Sequence, residues 1–291
     1  MNSIDIESKK FLGQPKNFVS IFNALLFDGQ PVLKPEYLKD ENSELVMNVS
    51  SKHVDIIKRY EDGTYLDLFV IESQSYVDQC MVARVMEYES VARMRYIRQN
   101  FKKHVPMHTR LPMILTVVLY VGESKWNAAK RLSELEIIHP GFEDMFNEFK
   151  LNLIELNTNH KYNTGEKATQ DFFDLLRMIY RKQILKEDLD REFNRDALYF
   201  AYVVTKNKEL LNIYQESEKG DVKVCRALDE MFEESTNKGI QMGIRQGIEQ
   251  GIALNQFEVY QTMLDKGFSV KAIASIFSVS EESIKTLLMR T

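Results

Sequence analysis

Asp55 and Glu72 stand on either side of Glu61-Asp62-Gly63-Thr64, an Asp-Gly turn between two apolar runs that reads as a β-hairpin. In an antiparallel pair folded on that turn, Asp55 faces a position two or three residues before Glu72, so two carboxylates meet at the open end of the hairpin. Like charges repel there, and a divalent cation resolves the repulsion. Mg²⁺ takes one or two carboxylates, keeps several waters and completes its octahedron with a substrate phosphate. A period of two puts Glu72 and Gln74 on one face of the strand and turns Ser73 away, leaving the Ser73 carbonyl as a further ligand. The alternative is that these are ordinary surface acids near strand ends, and spacing alone leaves both readings open. Other constellations are poorer. His104 and His108 have the spacing of a helical zinc pair, but Pro106 lies between them and no third ligand is evident, so they read as surface histidines. There is no glycine-rich phosphate loop and no Ser-His-Asp arrangement that spacing recommends.

The elements that would position these residues are legible as patterns. Asn17 to Phe27 repeats apolar residues at helical spacing and stops at Asp28-Gly29; Pro31 to Asn42 reads as irregular. A short β-like run contains Val54, Ile56 and Ile57, and the returning strand, Tyr65 to Ile71, is apolar at nearly every position after Asp67, as a central strand covered on both faces is. Asp78 to Asn100 lacks Gly and Pro and reads as one long helix. A buried strand follows at Met113–Val121, and Lys150–Leu156 alternates as an edge strand would. The order is αβββαβ-like with one added strand. Asp171 to Tyr202 and Asp221 to Glu234 read as amphipathic helices packed around the sheet. Trp126 either stacks on a base or, as the favoured reading, belongs to the core.

Between Ser90 and Arg110 there is no acid, while Arg93, Arg95, Arg98, Lys102, Lys103 and Arg110 supply six positive charges. Such a stretch either neutralises nucleic-acid phosphates or is a solvated face. Arg84, one helical face from Tyr88, either reaches a substrate phosphate or pairs with Glu87. The whole chain of 291 residues has 43 acidic and 38 basic side chains, a net charge of −5, so any basic patch for a nucleic acid is local. Charged residues at 28% and hydrophobic ones at 44% describe an ordinary globular protein and exclude wholesale disorder. Cys80 and Cys225 form neither a disulfide framework nor a cysteine-rich zinc site, which fits a reducing cytoplasm. The longest apolar run, Met113–Val121, falls well short of the ~20 residues a membrane helix requires, and the start lacks an export signal; no membrane partner is expected.

The tail changes character. Gly239-Ile240, Gly243-Ile244, Gly247-Ile248 and Gly251-Ile252 form a strict four-residue repeat. Each glycine costs a helix about 1 kcal/mol relative to alanine, so this helix either pairs with another, making a homo-oligomer such as a dimer, or is a flexible connector. Phe257–Leu264, Ala272–Phe277 and Glu281–Leu288 are three short helical patterns, with Ser269 and Ser280 as N-caps. They read either as a helix-turn-helix or as a plain helical hairpin. Residues 256–291 carry four basic and four acidic side chains, which weakens the DNA-reading version.

Together, Val54-Asp55-Ile-Ile, then Phe-Val-Ile-Glu72-Ser-Gln74-Ser, then Met81-Val-Ala-Arg84-Val-Met-Glu-Tyr88, then Leu111 to Gly122 with Trp126 after it, resemble the recombination-promoting nuclease (Rpn) and transposase-like family of the PD-(D/E)XK nuclease superfamily. The phrase Phe22 to Glu36 is similar as well. The resemblance runs from about residue 15 to 180 and resumes in the tail. It implies an α/β fold, a restriction-endonuclease-like mixed sheet core flanked by helices with an all-α C-terminal tail. It further implies a metal-dependent DNA endonuclease linked to recombination or mobile elements. In this reading Asp55, Glu72 and Gln74 are catalytic, and Asp55, Glu72 and the Ser73 carbonyl hold Mg²⁺, with Mn²⁺ or Ca²⁺ as substitutes. Arg84, Arg93, Arg95, Arg98, Lys102 and Lys103 bind DNA. Gln74 stands where many superfamily members have Lys; its neutral amide orients groups by hydrogen bonding and is no acid or base near pH 7. The expected organisation is a nuclease-like domain over 1–235, a Gly-Ile connector over 236–255 and a helical tail over 256–291. The alternative is a nuclease-fold protein that no longer cuts and serves as an oligomeric DNA-binding or regulatory module.

Overall fold

A computed structural model describes residues 3–41, 56–63, 66–217 and 220–289. It divides the chain into two compact units, Met1–Asp229 and Glu230–Thr291. The first is a mixed α/β unit built on a five-stranded sheet of order β1-β2-β3-β4-β5. Helices α1 (Ser3–Leu12) and α2 (Pro15–Phe27) precede β1 (Leu38–Asp40), β2 (Ile56–Glu61) and β3 (Leu66–Gln74); α3 (Met81–Asn100) then leads to β4 (Ile114–Tyr120) and β5 (Asn152–Glu155). The first three strands are antiparallel, and β3, β4 and β5 run parallel. The expected hairpin, long helix and two following strands are all present, with β3 at the centre and β5 at the edge. Helix α2 ends as its sequence dictates, with Asp28 and Gly29 both at positive φ.

The register assigns the faces. Leu68 and Val70 point to the same side as Ile57 and Ile114 and form a core with Tyr88 and Ala92 of α3. Further along, Val118 and Tyr120 pack with Met81, Val82 and Val85 from the start of α3 and with Trp126. Helix α3 therefore runs back along one sheet face, starting where β3 ends. Trp126 is buried, edge-on to Tyr120 at 5.1 Å, with its indole N–H donated to the Ala128 carbonyl, which settles it as a core residue. On the other face Phe69 meets Phe22 of α2 at 4.8 Å, and the Ser73 hydroxyl lies 3.5 Å from that of Ser8 on α1.

Behind α2, helices α4 (Lys167–Arg181), α5 (Arg195–Thr205) and α6 (Lys208–Glu216) pack with a small ribbon of β6 (Glu192–Phe193) and β7 (Val222–Lys223). The stretch expected to be helical from Asp171 to Tyr202 is interrupted. Lys182 adopts a left-handed C-cap, and Asn194 restarts the helix by accepting hydrogen bonds from the N–H groups of Asp196 and Ala197. One other expectation is corrected: the stretch expected to be irregular contains β1; α1 lies ahead of the first helix read from the sequence. Helix α7 (Cys225–Asp265) is continuous through the Gly-Ile repeat and through Phe257–Leu264, which is its last part rather than a separate helix.

In the second unit, Tyr260 of α7 packs with Ile273 and Ala274 of α8 (Val270–Phe277) and with Ile284 of α9 (Glu281–Met289). Ser269 and Ser280 cap α8 and α9 as expected. Among the described residues no helix is long and apolar enough to cross a membrane.

Gly122, just past β4, sits where the strand end is crowded. A Cβ there would fall 2.7 Å from the Ser75 carbonyl oxygen and would also meet the Tyr120 ring. Gly122→Ala is therefore expected to destabilise the first unit by about 1–3 kcal/mol, read from urea denaturation. A change smaller than the error of that measurement would show that this strand end yields freely.

Candidate active site

Glu72 and Gln74 occupy the C-terminal end of β3, on the face covered by α3. Both are buried, at 3% and 5% exposure, in a position where a charge must be paired. The Gln74 side-chain amide donates to Glu72 Oε1 at 2.9 Å, so its role is to orient the carboxylate. One helical turn into α3, Arg84 Nη2 donates to the same oxygen at 3.2 Å. The guanidinium is otherwise fully engaged. Nη1 is bonded to Asp78, and Nε and Nη2 donate to the Tyr88 hydroxyl at 3.0 and 2.8 Å. Burial works against the charged guanidinium, but its bonds to Asp78 and Tyr88 and the charge of Glu72 outweigh this and raise the Arg84 pKa. Burial also pushes the Tyr88 phenol up, with the Arg84 hydrogen bond offsetting part of the shift.

Asp78 enters the site unannounced by spacing. It precedes α3 and accepts the Cys80 backbone N–H at 2.9 Å, which fixes its carboxylate at the mouth of the helix where Arg84 reaches it. Glu89, a turn and a half beyond Arg84, is a second acid missed by sequence. It is buried, accepts the Thr116 backbone N–H at 3.0 Å, and has its pKa raised by burial. That bond ties α3 to β4, a structural task.

The remaining expected site residues are placed as follows. Asp55 lies outside the described residues, and the register expected for it is corrected: Val70 and Phe69, the residues two and three before Glu72, face Ile57 and Lys58. Ser73 turns its hydroxyl to the opposite face, as expected. The Gln74 carbonyl accepts from Val121 on the β4 side, so the preceding carbonyl, of Ser73, points to the β2 side. Arg84 pairs with Glu72 and Asp78 rather than with Glu87. Arg93 lies 3.9 Å from Glu89; Arg98, Lys102 and Lys103 are exposed. At 1.5 Å per residue, Arg93, Arg95 and Arg98 stand about 14–21 Å along the helix from Arg84, so the basic stretch leads away from Glu72 rather than surrounding it. His104 and His108 are exposed and outside any helix, and His108 has φ +64°.

Among the described residues no group of three or more His, Cys, Asp or Glu side chains is placed to hold a metal ion. A hard divalent cation needs only one or two carboxylates, and Glu72 supplies one; Arg84, paired with Glu72 and Asp78, is a competing positive charge there.

No curated protein and no solved structure matches the chain. The family described as "Putative transposase, YhgA-like" matches residues 36–210, from the turn before β1 into α6, and so contains the whole sheet and α3. The match covers more than half of the chain, which therefore belongs to this YhgA-like family, associated by its description with mobile DNA elements.

Proposed function

We propose that this protein is a metal-dependent DNA endonuclease that hydrolyses phosphodiester bonds in the service of mobile-element or recombination chemistry. The observation that carries the reading is Glu72: a buried carboxylate at the end of the central strand, oriented by Gln74. Glu72, Asp55 and the Ser73 carbonyl would hold Mg²⁺. The ion, when bound, would lower the pKa of a water and stabilise charge on the phosphate oxygens. Gln74 cannot take a proton, so it fixes the Glu72 carboxylate by hydrogen bonding. Family membership supports a DNA substrate. The test is direct: purified protein nicks or linearises supercoiled plasmid with Mg²⁺ or Mn²⁺ and not with EDTA. Intact plasmid at high protein concentration with either ion rejects the reading.

The basic stretch is proposed to hold the flanking duplex through phosphates, a sequence-independent contact. Its displacement from Glu72 suits it to phosphates several base pairs from the cut. Replacing Lys102 and Lys103 with Gln should reduce the slope of log K against log salt by about 0.9 for each phosphate that is no longer neutralised. An unchanged slope would assign these lysines to a solvated face.

A second reading is favoured by one observation: Arg84 already neutralises Glu72. In that reading the fold no longer cuts and acts as an oligomeric DNA-binding or regulatory module. Calorimetric titration with Mg²⁺ separates the two, since an inert module has no need to bind the ion.

A further inference from the structure

Cleavage requires a divalent cation at Glu72, yet the chain places its own cation there. Oε1 of Glu72 receives Arg84 Nη2, and the Glu72 side chain is only 4% exposed and that of Arg84 18%, so solvent screens their charges poorly. A divalent ion and a guanidinium on the same oxygen would repel each other strongly in this setting. The bond to Glu72 is also the longest of those that hold the guanidinium head to oxygen. Nη2 is shared between Glu72 at 3.2 Å and the Tyr88 hydroxyl at 2.8 Å, while Nε stays on Tyr88 and Nη1 on Asp78. Nη2 can therefore leave Glu72 and keep a partner, and the other anchors need not move.

We propose that Arg84 is a positioning residue that works as a cation gate: its guanidinium keeps buried Glu72 neutralised, and a divalent ion that takes Oε1 of Glu72 must displace the Arg84 Nη2 hydrogen bond. Asp78 and Tyr88 are the hinge that retains Arg84 when it lets go. The proposal rests on the metal-binding role given to Glu72 above. It makes metal affinity a property set by Arg84 as well as by the carboxylate.

The test is calorimetric titration of Mn²⁺ into the full chain and its variants, a binding readout independent of cleavage. Arg84→Met removes the competing charge and should tighten Mn²⁺ binding at least tenfold. Arg84→Lys keeps a charge near Glu72 and should stay within about threefold of the parent protein. Tyr88→Phe removes the hydroxyl that holds Nη2 when it leaves Glu72, and should weaken Mn²⁺ binding several-fold; it serves if Arg84→Met fails to fold. Adding Glu72→Gln to Arg84→Met should abolish the gain. A purely structural Arg84 predicts that both Arg84 variants bind Mn²⁺ more weakly. If the parent binds Mn²⁺ and Arg84→Met binds it no more tightly, or, where Arg84→Met fails to fold, Tyr88→Phe binds it no more weakly, the gate is overturned while the metal site stands. If no protein in the series binds, the gate and the metal site both fall. Binding by Arg84→Met alone supports the gate and assigns the parent to the inert reading.

Discussion

Glu72→Ala is expected to lower Mg²⁺-dependent plasmid cleavage by at least ~1,000-fold, because losing a ligand of a catalytic ion removes several kcal/mol of transition-state stabilisation. Folding should survive. The substitution removes a buried acid, and Arg84 retains Asp78 and Tyr88. Gln74→Ala leaves the carboxylate in place but frees its orientation, and outer partners of metal ligands are worth roughly 10–100-fold. The ranking of the two variants matters as much as either value. Cleavage by Glu72→Ala at the parent rate, in protein of unaltered melting temperature, would exclude Glu72 from the chemistry.

Arg191→Met is expected to be the most damaging change away from the site. Arg191 spans two nearly fully buried carboxylates, donating to Asp171 at 2.7 Å and to Asp174 at 2.8 Å, and stacks over Phe193 at 4.6 Å. The burial works against its charge, but the bonds to Asp174 and Asp171 raise the Arg191 pKa. Removing one partner of a buried ion network leaves charge uncompensated and costs about 3–5 kcal/mol. Lys167 and Arg177 still reach Asp171 and Asp174, so the low end of that range applies. The melting temperature of the first unit should fall by on the order of 10 °C, with the loss reduced when Asp171 is also made Asn. A shift within 2 °C, as expected of a surface pair worth at most about 1 kcal/mol, would contradict this network.

The sheet was readable because its strands announce themselves: β3 is apolar on consecutive positions, β4 lies behind a proline, and Asp62-Gly63 marks the hairpin. The strand β1 escaped because three residues, Leu38–Asp40, in a polar setting carry no periodicity; pairing with β2 makes it a strand. The Gly-Ile repeat argued for a weak helix, yet α7 runs unbroken through it with nothing near the glycines and each repeat isoleucine more than half exposed. Within the site, period two placed Glu72 beside Gln74, because that relation is local. The clasp of Arg84 on Glu72 and Asp78 was not legible: it joins the end of one strand to the second turn of a helix, and only tertiary packing brings those together. The i, i+4 pair of Arg84 and Tyr88 was the one trace of it in the sequence.

The central claim is that Glu72 is a metal ligand. The most direct measurement is anomalous diffraction at the manganese edge from crystals soaked in Mn²⁺. The account predicts a peak within about 2.0–2.3 Å of a Glu72 carboxylate oxygen, with Arg84 Nη2 withdrawn from Oε1. Saturating Mn²⁺ with no peak there, and Arg84 still seated on Glu72, would contradict it.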